Sequence, residues 1–355
     1  MAFLDSALHI NVPLTDYAVA FRTDEKEYMW DKLLPPKVVS KRSDIIRQID
    51  KGNLLRKYDL RVGTGGRIPE VQFKVSQNFT YNAVDYAVRA VLRQSERANA
   101  DSILQYDQEM MYHALISMHT NLEVLTIKDT LRDPLQLTNN VTLTAPSFWD
   151  NYNSPGSNPL ADLKAAVLSI RARTEHMPNV ILLHDLVWDA LQRHPIIVAR
   201  GPVHPFGAGI ITIPIMEEIL NVRPGTIKVT SKQYNVAKEG DPIPDFRSMI
   251  GPDVIVAYVE PPNTRTYGLG TTFMFQGKSE GSNYTGENLN VVPELGGAPF
   301  VVYQFPNYEA DSRGAQSLNL VGGIDQRVLV QDAGYLIRNV VDKTNFAKYG
   351  NFLNN

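Results

Sequence analysis

The stretch NVILLHDLVWDALQRHPII, residues 179–197, places two histidines and two aspartates in a strand–turn–helix pattern. Its reading decides between a catalytic site and a scaffold. Residues 179–183 are the kind of β-branched and leucine run that fills a buried strand, whereas Val187, Ala190 and Leu191 recur at helical spacing from Leu186 to Arg193. The polar residues therefore fall at element ends. Asp185 stands just before the helix, where a carboxylate accepts the free first-turn N–H groups and faces the positive end of the helix dipole. His194 precedes Pro195 and closes that helix. The rival reading is an α/β enzyme using His184 with Asp185 or Asp189 as an acid–base pair. Adjacent residues at a strand end usually point apart, and no nucleophile motif such as Gly-x-Ser-x-Gly accompanies them. The expectation is scaffold, with no catalytic residue.

Composition narrows the remaining classes. With 355 residues, 43% hydrophobic and 21% charged, the chain can bury a large core and divide into two or more domains. No window approaches the roughly 18 apolar residues of a spanning helix, so no membrane partner is expected. The start, MAFLDSALHINVPLTDYAVAF, has neither a basic n-region nor an apolar h-region, so no secretory signal is expected either. Cysteine is absent, which excludes disulfides, thiolate catalysis and thiolate-held metals. The net charge of −3 argues against a protein whose main task is gripping phosphates.

One segment departs from that balance. Between Lys37 and Lys74 stand ten basic residues (Lys37, Lys41, Arg42, Arg47, Lys51, Arg56, Lys57, Arg61, Arg67, Lys74) against four acidic ones (Asp44, Asp50, Asp59, Glu70). The segment carries +6 and the rest of the chain −9. Neighbouring molecules should attract one another through this asymmetry.

Around that segment the chain orders itself as follows. Residues 1–36 show no sustained period and end in DKLLPPKV, where Pro35 and Pro36 forbid helix and favour an extended arm. Strands are expected at 44–49 and 70–75, with Gly63, Gly65 and Gly66 between them, as in a long glycine-tipped hairpin. GTGGR is not a phosphate cradle, because Ile68 and Pro69 lead into a strand and not a helix. From Asp101, a suitable N-cap, to Lys128, the stripe of Ile103, Asp107, Met110, Ala114, Met118, Leu122 and Leu125 predicts a helix of about 26 residues and about 40 Å. On it, His113 and His119 lie on different faces. His119 and Glu123 share one but lack a third ligand, so no metal is expected, and the methionines read as core filler.

A second helix is predicted over 159–175 through Leu160, Leu163, Ala166, Val167 and Ile170. After GPVHPFGAG come the short helix IPIMEEILNV and the β-rich runs TIKVTSKQYNV, DVIVAYVE and TTFMF, read as a second domain over 206–312. The runs RVLVQ and YLIRNVV, joined by DAGY, read as a closing hairpin that returns to the first domain's sheet. The fold class is α+β.

An arm, a basic hairpin, an extra-long helix, an interrupted α+β domain, an inserted domain and a closing hairpin occur in that order. This order, with NVILLHDLVWDALQRHPII and QRVLVQDAGYLIRNVV, resembles the major capsid proteins of tailed bacteriophages, whose Hong Kong 97 fold encapsulin shells share. The resemblance implies an N-terminal arm at 1–36, an E-loop hairpin at 37–81, a peripheral domain with the spine helix at 82–205, an axial domain at 206–312, and a C-terminal return at 313–355. It implies a non-enzymatic, self-assembling structural protein of the icosahedral virion capsid, built in the host cytoplasm, with no cofactor. Its partners would be its own copies in hexamers and pentamers, portal, scaffolding or decoration proteins, and DNA touched non-specifically. Intersubunit E-loop contacts are expected at Arg47, Lys51, Arg56, Lys57, Arg61 and Arg67. An encapsulin-like nanocompartment is the alternative with the same fold.

Overall fold

The computed structural model describes residues 9–10, 28–49, 57, 61–62, 68, 70, 75–99, 103–201, 203–204, 207–208, 211–238, 240–260, 268–275, 301–306 and 315–344. In chain order the first strands are β1 (His9–Ile10), β2 (Pro36–Val39), β3 (Ser43–Ile49), β4 (Val75–Asn82), β5 (Val84–Arg93) and β6 (Asn139–Thr142). Then come β7 (Val180–His184), β8 (Val203–His204), β9 (Gly207–Ala208), β10 (Ile227–Thr230), β11 (Gln233–Asn235) and β12 (Phe246–Ser248). The last are β13 (Val254–Ala257), β14 (Gly270–Phe275), β15 (Val301–Pro306), β16 (Ala315–Val328) and β17 (Gly334–Arg338).

Among the described residues these strands form two principal sheets. The five-stranded one runs β10-β7-β13-β17-β6, and the six-stranded one runs β1-β15-β16-β14-β2 with β5 also paired to β16. β7 is buried at every position, as its unbroken apolar run requires of a central strand covered on both faces. Helices Pro159–Thr174, Asp185–Arg193 and Ile213–Leu220 cover this sheet through Leu163, Ile170, Val187, Leu191, Met216 and Leu220.

The long helix, Ile103–Val124, lies on the six-stranded sheet. Met111, Leu115, Met118 and Leu122 on its inner face are at most 1% exposed, each worth about 1.5–3 kcal/mol of burial before entropy. Met111 and Met118 are therefore core filler, as expected, whereas Met110 is only partly buried. The predicted cap Asp101 lies outside the described residues. Past Val124 the regular helix gives way to a π-helical stretch, Leu125–Leu131. The Thr126 hydroxyl donates to the Leu122 carbonyl at 2.8 Å and Thr130 to Leu125 at 2.8 Å, while Gln326 Nε2 donates to Thr126 Oγ1 at 2.7 Å. Side chains that compete for ladder carbonyls in this way loosen the winding.

Three expectations are corrected. The end of the supposed arm is core: Tyr28, Met29, Trp30, Leu33 and Leu34 are buried, and Trp30–Leu33 forms a single helical turn before Pro35. RVLVQ and YLIRNVV do not form a hairpin. β16 stays in the six-stranded sheet, β17 pairs with β13 and β6 in the other, and the turn Gln331–Ala333 carries the chain across. Among the described strands of 206–312, only β11 and β12 pair with each other. β10 and β13 pair with β7 on the far side of the expected boundary at 205, whereas β14 and β15 pair with β16. Apolar periodicity marks a strand as buried but carries no label for its partner.

A third core, containing Leu33, Leu34, Ile127, Leu131, Leu182, Ile255, Leu269 and Leu336, joins elements of both sheets. Single-cluster continuity of this kind makes the two layers one packed body.

Candidate functional site

β3 pairs antiparallel with β4, from Ser43 opposite Asn82 to Ile49 opposite Val75, with a register shift at Gln48/Ile49. The described return strand is Val75–Asn82; residues 71–74 of the predicted 70–75 strand and the glycine tip lie outside the described residues. β3 and β4 make a two-stranded sheet of their own. An isolated ribbon of two strands is marginally stable in water, so this one depends on what holds its root and what covers its blade.

The root is tightly held. Arg42 pairs with Asp85 at 2.8 Å and stands over the Phe275 ring at 5.2 Å. Ala83 N–H donates to the Arg42 carbonyl at 2.8 Å, and Asn82 N–H donates to Asp325 Oδ2 at 2.7 Å. Tyr81 stacks on Phe273 with ring centroids 4.6 Å apart, and its hydroxyl donates to the Lys41 carbonyl at 3.1 Å. Burial raises the Tyr81 phenol, helped by the negative Asp44 nearby. Beyond the root, Ser43, Asp44 and Ile45 are exposed, Ile45 by 56%. The Ile45 N–H and Lys41 lower the Asp44 carboxyl and keep it ionised.

Of the six basic residues expected to contact neighbours, Arg47 lies on β3 opposite Asn78. Lys57 and Arg61 are exposed. Lys51, Arg56 and Arg67 fall outside the described residues. Of the six, the described ribbon therefore carries Arg47.

The stretch that opened the question is scaffold in its local chemistry. The helix Asp185–Arg193 is capped by His184 and not by Asp185: His184 Nδ1 accepts the Leu186 N–H at 3.1 Å. Asp185 sits in the first turn, contacts the same ring nitrogen and accepts the Leu186 N–H at 2.7 Å. The offset from expectation is one residue, because an imidazole at the strand end can accept as a carboxylate does. Burial lowers the His184 imidazole, opposed by Asp185. Asp189 turns away to pair with Arg193 at 2.9 Å. His194 closes the helix as predicted and also starts the next, its Nδ1 accepting the Ile196 N–H at 3.3 Å while Nε2 meets Ser157 Oγ at 3.1 Å. Each histidine is occupied by backbone capping, not aimed at an open cleft.

A second anchoring cluster was missed from sequence. Glu123, fully buried, accepts the Met29 N–H at 3.0 and 2.9 Å and the Trp30 N–H at 2.7 Å. His119 Nδ1 accepts the Trp30 indole N–H at 3.2 Å, and Tyr28 OH bonds Thr120 Oγ1 at 3.2 Å. One face of the long helix thus fastens the incoming chain. Burial pushes the Glu123 carboxyl up to about 7, against the lowering effect of the Met29 and Trp30 N–H groups, and holds the His119 imidazole down at about 4. The available signal was a glutamate four residues from a histidine on an otherwise inward-facing stripe. Glu217 does the same work elsewhere, accepting the N–H groups of Gly225 and Ile227 at 3.0 and 2.8 Å.

The arrangement of sheets, long helix and ribbon is similar to that of a solved phage-related protein from Bordetella bronchiseptica RB50. The TM-score is 0.66 at 20% sequence identity, covering 94% of this chain and 98% of that one. The chain has the Hong Kong 97-like fold. The virus-like particle from Pyrococcus furiosus is similar at a TM-score of 0.50 and 12% identity, over 92% and 99% of the two chains. The capsid of cyanophage P-SCSP1u aligns over 90% of each chain at a TM-score of 0.48 and 11% identity. No protein-family model and no curated protein matches the sequence. No helix among the described residues is long and apolar enough to cross a membrane.

Proposed function

We propose that this chain is the major capsid protein of a tailed bacteriophage and that its copies assemble into the icosahedral shell around the double-stranded genome. The observation that carries the reading is the β3–β4 ribbon, which is tied to the body at Arg42, Tyr81 and Asn82 and, among the described residues, pairs with no other strand. Such a ribbon gains its missing packing from a neighbouring copy. It is the E-loop of this reading, with Arg47, Lys51, Arg56, Lys57, Arg61 and Arg67 facing acidic surface on the next subunit. Many modest contacts in a closed lattice add through effective concentration, while each stays weak enough for misplaced subunits to leave.

The units of this reading divide along the sheets. The spine helix and six-stranded sheet form the peripheral unit, and the five-stranded sheet with its three helices forms the axial unit at the capsomer centre. Portal, scaffolding or decoration proteins and non-specific DNA contact complete the set of partners, in a virion assembled in the host cytoplasm. No step requires a catalytic group, cofactor or metal.

Full-length likeness to a phage-related protein supports the viral reading. Likeness to a virus-like particle from an archaeon keeps a cargo-holding nanocompartment as the second reading. Purified recombinant protein run on size-exclusion chromatography and viewed by negative stain should give megadalton particles or free capsomers. A small, monodisperse oligomer under all salt conditions refutes both readings. DNA-filled particles in lysates of the producing host separate phage shell from nanocompartment.

A further inference from the structure

The molecule carries a second two-stranded ribbon. β11 and β12 pair through Gln233 with Ser248, Tyr234 with Arg247 and Asn235 with Phe246. Its root lies at the C-terminal end of the spine helix, where Lys128 Nζ stands 5.5 Å from the Tyr234 ring and Lys232 Nζ 4.2 Å from the Tyr28 ring. Asn235 Oδ1 shapes the tip by accepting the N–H groups of Ala237 and Asp245, each at 3.0 Å. On this tip Ile243 is 79% exposed, Phe246 46% and Val236 42%. Apolar side chains presented this openly on a backbone-braced ribbon are the composition of a contact centre. Residues 236–247 carry Lys238 and Arg247 against Glu239, Asp241 and Asp245, with Arg247 paired to Asp245 at 3.0 Å, so the tip keeps a net charge of −1.

The complementary feature lies midway along the long helix Ile103–Val124. Strand β5 and the helix flank an open recess of about 400 Å³, floored by Val88, Ala90, Met110 and Ala114 and rimmed by Arg89, Arg93, Glu96 and His113. Its floor continues the apolar core beneath the helix. The one acidic rim residue is engaged: Glu96 accepts from Tyr106 OH at 2.6 Å and meets Arg93 at 3.4 Å. The rim is therefore net basic, around an apolar bed.

We propose that the β11–β12 tip of one copy seats Ile243 and Phe246 in the β5–spine helix recess of a second copy of this chain, with the acidic tip residues against the arginine rim. The inference rests on the shell reading and names one of its contacts. His113 and Lys128 are separated by about 20 Å along the helix at about 1.5 Å per residue. The two patches are thus different surfaces of one molecule. A contact between different surfaces is heterologous, so it links copies head to tail and closes a ring when the rotation per copy divides the circle. Capsomers are such rings.

The native chain has no cysteine, which gives a clean background for cross-linking. The double variant Ile243→Cys/His113→Cys, assembled and treated with a short bis-maleimide, should run on a denaturing gel as a ladder extending past the dimer. Each single variant should stay at monomer mobility. Particles of the double variant that yield no ladder, or only a cross-link within one chain, overturn the contact while leaving the shell reading intact. An unsubstituted chain that never forms particles overturns the shell reading itself. As a second measurement, Arg93→Glu should abolish capsomers and the added change Asp241→Lys should restore them. Capsomer formation by Arg93→Glu alone, or failure of the pair to recover it, counts against the seat.

Discussion

Replacing Glu123 by glutamine tests how the incoming chain is fastened to the long helix Ile103–Val124. Two forces oppose each other at this carboxyl. The N–H groups of Met29 and Trp30, at 2.7–3.0 Å, favour the anion, and burial disfavours it. Burial wins, with Asp31 adding to it and Lys232 opposing, so the carboxyl titrates at about 7 in the folded protein against 4.5 in a free chain. Between those values the folded state holds a proton that the unfolded chain has released. The group's contribution to stability is therefore greatest below pH 4.5 and falls as pH rises through about 7. At about 1.4 kcal/mol per pH unit, the loss is of order 3 kcal/mol.

Glutamine has nearly the same shape and does not titrate. It keeps one accepting oxygen, but its amide NH2 cannot accept, so a buried backbone donor loses its partner at a cost of about 1–3 kcal/mol at acidic pH. Urea denaturation of wild type and Glu123→Gln at pH 5 and pH 8 should show the variant clearly less stable at pH 5, with the gap narrowing by a few kcal/mol at pH 8. The difference between the two proteins cancels His119, whose depressed imidazole acts oppositely by destabilising the fold as pH falls from 6.5 towards about 4. A gap that widens with pH, or does not change, refutes the balance of forces assigned here.

Replacing Arg47, Lys51, Arg56, Lys57, Arg61 and Arg67 with glutamate should leave a folded subunit, judged by circular dichroism, that forms no shells; shells of normal size and salt stability would refute the role of the basic ribbon. Arg132→Ala should cost about 3–5 kcal/mol in chemical denaturation, because Arg132 Nε pairs at 2.7 Å with Asp253, a side chain 2% exposed that would be left charged and unpaired. A loss below about 1 kcal/mol would mean solvent reaches that carboxylate. Gly270→Ala should destabilise by about 1–3 kcal/mol, since a Cβ there would stand 2.3 Å from the Arg327 carbonyl oxygen and 2.7 Å from Leu34 Cδ2. An unchanged thermal midpoint would show that β14 and β16 can separate at no cost.

The sequence by itself determined the kinds of element and their order. The spacing of Met111, Leu115, Met118 and Leu122 names an inward helical face wherever that helix is placed, and the run from Val180 to Leu183 names a covered strand. The surplus of lysine and arginine between 37 and 74 is likewise a property of the chain alone. His184 and His194 were legible as element ends, although the cap itself fell on the neighbouring residue. Tertiary structure decided which strands pair and which polar groups are buried. β17 could have returned to β16 on its apolar content, yet it lies between β13 and β6, because partner choice depends on how whole layers pack and not on the pattern within one strand. Glu123 is ordinary as a helix residue and becomes a fastening only when the N–H groups of Met29 and Trp30, more than ninety positions away, arrive unpaired in the core and need an acceptor.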